Sequence, residues 1–124
     1  MKSEIPYNKG DELIETLALA KRIKEIIEDK KGENTVIMDV QEISTITDYF
    51  IIASGASTPH LKALRDSLER TLKDEGIRCA HKSGTTESQW IVLDFITIVV
   101  HLFVPEIRDF YSLERLWSDA KIIT

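Results

Sequence analysis

The chain has 124 residues, 43% hydrophobic and 30% charged, with a formal net charge of -5 at pH 7. That is enough for one domain with its own core, and the acidic balance argues against a general nucleic-acid binder, which needs clustered Lys and Arg to neutralise phosphate. No stretch approaches the ~20 apolar residues of a membrane span, the N-terminus has no signal or transit pattern, and the lone Cys79 allows no intrachain disulfide, so a cytoplasmic setting is expected.

After an irregular start through Pro6 and Gly10, Asp11 is placed to cap a helix. Its apolar positions are Leu13, Ile14, Leu17, Ala20, Ile23, Ile26 and Ile27, with Glu15, Lys21, Lys24 and Glu28 opposite, and Gly32 stops it. Residues 34–40 and 49–53 read as apolar strands. The turn Ser54-Gly55-Ala56-Ser57-Thr58-Pro59 leads into a second helix, whose Leu61, Leu64, Leu68 and Leu72 form one stripe ending at Gly76. A short edge strand is expected at 77–80, a flexible polar loop at 82–88, and two adjacent strands at 89–95 and 97–103. From Pro105 a helical tail carries Ile107, Phe110, Leu113 and Leu116 on a broken apolar face. The order predicts an α/β sandwich with a mixed sheet, as a single domain over 1–124 with its core at about 11–120.

Catalytic signals are weak. The Ser-Gly-Ala-Ser-Thr turn could hold an anion on its amides, but it has neither glycine-rich nucleotide spacing, and a bare strand–turn–helix junction is the simpler reading. A Gly-Ser turn ahead of a strand also suggests a metal-dependent nucleotidyltransferase, whose chemistry needs two carboxylates converging on the metal ions. Here the strand offers Asp94 and then Ile96, while Asp39 and Asp48 are not an alternating pair. His60, His81 and His101 lack metal-ligand spacing. Cys79 reads as a small half-buried hydrophobe.

The strand around Trp90 is more informative. Trp90, Val92 and Asp94 share one face, while Ile91, Leu93 and Phe95 form a wholly apolar face that should meet helices. The first face suits either burial of Trp90 under the tail or a half-exposed binding surface. The aromatic, charged tail with Arg108, Tyr111, Glu114 and Trp117 favours a surface, because Trp, Tyr and Arg are enriched where binding energy concentrates.

These residues carry a family resemblance. The run from Thr47 through Asp48, Tyr49 and Phe50 to Ser54-Gly55, then Ser57 and His60, resembles the ribosomal silencing factor (RsfS, Iojap-like) family. So do the strand from Trp90 to Asp94, Val100-His101, Pro105-Glu106, and the tail Phe110-Tyr111, Leu113-Glu114 and Leu116-Trp117. The resemblance implies an α/β protein with a mixed five-stranded sheet flanked by helices, on a nucleotidyltransferase-like scaffold without catalytic residues, cofactor or metal. It also implies a non-enzymatic silencing factor that binds the large ribosomal subunit through its protein fourteen, blocks joining of the subunits under nutrient limitation, and self-associates as a homodimer. Carried over by position, the partner surface comprises Trp90, Asp94, Glu106, Arg108 and Tyr111, and His101 is structural. The chain departs from the family pattern at Ile96-Thr97, where members carry Gly-Asp, and at Ser83, where members carry Glu. A metal-dependent nucleotidyltransferase and a plain dimeric scaffold are the alternatives.

Overall fold

The computed structural model describes the backbone of residues 9–123 and side chains from residue 15 to residue 123. Helix α1 spans Lys9–Asp29 and helix α2 Thr58–Asp74; strands β1 (Glu33–Asp39), β2 (Tyr49–Ser54), β3 (His81–Thr85), β4 (Trp90–Asp94), β5 (Ile98–Phe103) and β6 (Lys121–Ile123) build one sheet. The tail folds as α3 (Pro105–Tyr111) and α4 (Leu113–Leu116). The sheet order is β3-β4-β5-β2-β1-β6, mixed as expected. Only β2 and β5 pair in parallel; the other neighbours are antiparallel.

Side-chain alternation puts a different layer on each face. Ile37, Ile51, Ala53, Ile91, Leu93, Val100 and Leu102 face α1 and α2, packing on Ile23, Ile27, Leu61, Leu64, Leu68 and Leu72. Each fully buried aliphatic side chain of this kind contributes about 1.5–3 kcal/mol. On the other face Met38, Ile52 and Phe103 pack under the tail, against Ile107, Leu113 and Trp117. The α1 turn ends where Gly32 N–H donates to the Ile27 carbonyl at 2.8 Å. A Cβ at Gly32 would lie 2.2 Å from Ile27 Cγ2, so only glycine closes that end.

Four expectations need correction. Helix α1 already includes Gly10 and Asp11, so Asp11 does not cap it; Pro6 and the side chains of Leu13 and Ile14 lie outside the described residues. Residues 77–80 are irregular, and the edge strand is β3, which starts at His81 and runs into the stretch read as a loop. All five β3 residues are exposed, so no apolar alternation announces it; the strand is held by its ladder to β4, from His81↔Asp94 to Thr85↔Trp90. Its Gly84, at φ +76°, lets the backbones meet, since a Cβ there would sit 2.0 Å from the Trp90 carbonyl oxygen. The sheet has six strands, not five: β6, three residues long and largely exposed, pairs with β1 at the far edge. Finally, Ser112 takes a left-handed φ of 47° and breaks the tail into two helices. Ile107 and Leu113 then point inward, while Phe110 is 78% exposed and Leu116 is exposed as well.

Candidate functional site

Trp90 sits at the start of β4, opposite Phe103 on β5. Its indole lies 4.9 Å from the Phe103 ring at an interplanar angle of 28°, and 4.7 Å from the Tyr111 ring at 44°. The Trp90 Nε1–H donates to His101 Nδ1 at 3.2 Å. One face of the indole is therefore seated on the sheet, while Tyr111, 48% exposed, carries the aromatic surface outward from α3. Phe110 extends it, its ring 5.0 Å from that of Tyr111 in an edge-on arrangement. The two readings of Trp90 merge: it is half-buried, packed by the tail and continuous with an exposed aromatic surface.

His101 is buried between Trp90, Phe50 and Phe103, as a structural residue. Accepting at Nδ1 requires that nitrogen to be unprotonated, so the ring is neutral with its proton on Nε2. Burial penalises the charged form and pushes its pKa down to about 4. Trp117 packs edge-on against Phe50, with centroids 5.0 Å apart, and closes the tail over β2.

The other expected site residues divide. Asp94 lies on the Trp90 face, four residues along β4, about 13 Å away at the rise of a strand. Its Oδ1 accepts from Ile96 N–H at 2.7 Å, so one oxygen fixes the turn into β5. Glu106 is exposed in the first turn of α3, where a carboxylate suits the helix dipole. Arg108 turns inward instead, with its side chain 11% exposed. Its Nε donates to Glu114 Oε1 at 2.8 Å and its Nη1 to Ser54 Oγ at 2.9 Å. It therefore fastens the α3–α4 break to the end of β2, and Tyr111 is held over Trp90 by the same turn of helix. Spacing showed none of this, because Ser54 and Arg108 are far apart in sequence. Phe110 was also missed as a surface residue, since an unbroken helix would have turned it inward.

The catalytic alternatives lose their geometry. At the 54–59 turn the Gly55 N–H donates to the Phe103 carbonyl at 2.8 Å and the Ala56 N–H to His60 Nδ1 at 2.9 Å. Ser57 Oγ accepts from His60 N–H at 3.3 Å, and His60 Nε2–H reaches the Lys30 carbonyl at 2.8 Å. The turn's amides serve the fold and tie α2 to the end of α1. Asp39, on the β1 face shared with Ile37, and Asp94, on the Trp90 face, point to opposite sides of the sheet. Among the described residues no three His, Cys, Asp or Glu side chains gather to hold a metal ion. Burial pushes the Cys79 thiol pKa up, away from nucleophilic character.

Comparison with known proteins agrees with the architecture. Residues 13–124 match the model of a family described as ribosomal silencing factor during starvation. A ribosomal silencing factor RsfS of Halalkalibacterium halodurans is 33% identical over 97 residues, covering 78% of this chain and 83% of that protein. Mouse mitochondrial assembly of ribosomal large subunit protein 1 is 32% identical over 98 residues, 75% of this chain but 42% of its own length. A crystal structure of a Chromobacterium violaceum protein superposes with a TM-score of 0.80 at 30% identity, covering 83% of this chain and 86% of that one. Among the described residues no helix is long and apolar enough to cross a membrane.

Proposed function

Since the chain belongs to the ribosomal silencing factor family, whose members are regulators of the ribosome and not enzymes, we propose that it docks on protein fourteen of the large subunit and blocks subunit joining by its bulk. The Trp90–Tyr111 pair carries this reading, because it forms an aromatic surface with one side seated on the sheet through Phe103 and Tyr111 open to solvent. Anchors of this kind lose little conformational entropy on binding and dominate interface energetics. Trp90, Tyr111 and Asp94 form the docking face, Glu106 lies at its margin, and Arg108 supports it from behind. The net charge of -5 favours encounter with a basic ribosomal protein over exposed ribosomal RNA. On this reading the protein works in the cytoplasm, represses translation under nutrient limitation, and self-associates as a homodimer.

The test is a sucrose gradient. Purified protein should sediment with isolated large subunits but not with joined ribosomes, and should reduce joining of separated subunits without consuming nucleotide. Unchanged joining at saturating protein rejects steric silencing. Nucleotide turnover lost on Asp94→Asn would instead revive the nucleotidyltransferase alternative.

A further inference from the structure

The far end of β4 carries a feature that core packing does not explain. The connection from β4 to β5 is so short that Phe95 N–H donates to the Ile98 carbonyl at 2.8 Å, leaving Ile96 and Thr97 at the tip. Thr97 N–H donates back to the Phe95 carbonyl at 3.0 Å, across Ile96 at φ +75°. A connection of this kind favours glycine at its first position. A β-branched side chain in the left-handed region is a genuine outlier, and such strain persists where the surroundings enforce it. Here Asp94 Oδ1 holds the Ile96 amide, and the Asp48 N–H donates to the Thr97 carbonyl at 3.0 Å.

The strain gains no core. Ile96 is 61% exposed, and Ile46, on the loop before β2, is 82% exposed. Both line one open cleft of about 150 Å³, together with Thr47, Asp48 and Thr97. Two aliphatic tips therefore stand out beside the carboxylates of Asp48 and Asp94.

We propose that Ile96 and Ile46 form a second apolar anchor, held outward by the strained turn, that enters a socket on the same basic protein surface that receives Trp90 and Tyr111. The inference rests on the docking reading above and names a further part of that site. Three observations select the occupant. Flanking carboxylates suit a basic surface and repel phosphate. Aliphatic tips offer no ring for a nucleic-acid base to stack on, whereas they fill an apolar pocket on a protein. Asp94 lies between the two anchors, on the strand face of Trp90 and about 13 Å from it at the strand rise. An ordinary interface of about 800 Å² per partner spans that easily.

The proposal predicts that stability and binding move in opposite directions. Ile96→Gly should melt a few degrees higher because the strain is released, yet bind isolated large subunits about fivefold or more weakly, mainly through faster dissociation. Ile46→Ser should melt as the wild type does and lose a similar factor. Wild type and Tyr111→Ala, run alongside, read the primary docking. If wild type fails to sediment with large subunits, the docking reading falls and this inference with it. If wild type binds and Tyr111→Ala weakens it, while Ile96→Gly and Ile46→Ser bind fully, only the second anchor is overturned. A lower melting point for Ile96→Gly removes the strain premise and overturns the proposal. Weakened self-association by light scattering, with subunit binding intact, makes a second copy the occupant and also overturns it.

Discussion

The indole N–H of Trp90 donates to Nδ1 of His101 at 3.2 Å, so the proposed docking residue is held by a histidine that must stay neutral. His101 is buried, and that burial pushes its pKa from 6.5 to about 4. The unfolded chain therefore binds more protons than the native protein between these values, and stability rises with pH across that window. It should be fully present above about pH 6.5 and lost as pH falls toward 4. Moving the pKa from 6.5 to about 4 corresponds to about 3 kcal/mol. Urea melts from pH 7 to pH 4 should show this slope in wild type and a shallower one in His101→Gln. Fluorescence of Trp90 in the folded protein should hold across that window and change only as pH reaches about 4, because a doubly protonated ring cannot accept the indole N–H.

Trp90 and Tyr111 separate fold from function. Trp90→Ala removes packing on Phe103 as well as part of the proposed docking surface, so it should cost ~3–5 kcal/mol of stability along with binding. Tyr111 is 48% exposed, so Tyr111→Ala should cost less than about 1 kcal/mol of stability. Its loss of large-subunit binding should reach ~2 kcal/mol or more. Wild-type binding by folded Tyr111→Ala would remove the aromatic anchor. Melts and binding curves on the same preparations decide it.

Arg108 should behave as a support. Its bonds to Glu114 and Ser54 hold the break between α3 and α4. Lysine keeps the charge but not the planar fork, so Arg108→Lys should destabilise by about 1–3 kcal/mol. A double-mutant cycle with Tyr111→Ala distinguishes support from contact. If Arg108 acts through Tyr111, then Arg108→Lys should weaken binding in wild type and have little further effect once Tyr111 is gone. Independent, additive losses would mean that Arg108 touches the partner.

What could be read before the structure follows from where each signal resides. Alternation along 90–95 separated the Ile91–Leu93 face from the Trp90–Asp94 face because strand period is local and both faces differ chemically. The α2 stripe of Leu61, Leu64, Leu68 and Leu72 was legible because helical period is local too. Strand β3 was not, because its five residues are exposed and its identity comes from the partner strand. Nor was β6, too short to show a period. In the candidate site, the half-buried face of Trp90 and Asp94 was legible from strand register, and the aromatic character of the tail from residue type. The inward turn of Arg108 and the outward turn of Phe110 both depend on the left-handed Ser112, a non-glycine residue that gives no composition signal for a helix break.

Asp94 has two tasks, and two substitutions should divide them. Its Oδ1 caps the strained turn through Ile96 N–H, while its charge lies on the proposed docking face. Asparagine keeps an acceptor oxygen at nearly the same volume, so Asp94→Asn should lower stability by less than about 1 kcal/mol. Alanine loses the acceptor and should cost about 1–2 kcal/mol. Binding should divide differently, because both variants lose the charge. Association of wild type with large subunits should slow as salt rises, since charges are screened beyond about 10 Å at 0.1 M. Both variants should associate more slowly at low salt and respond less to it, with affinity reduced by ~1–3 kcal/mol. Stopped-flow association at several salt concentrations, beside thermal melts, measures both tasks. Salt-independent association by wild type, together with full-strength binding by Asp94→Asn, would leave Asp94 with its turn alone and assign recognition to the aromatic and aliphatic anchors.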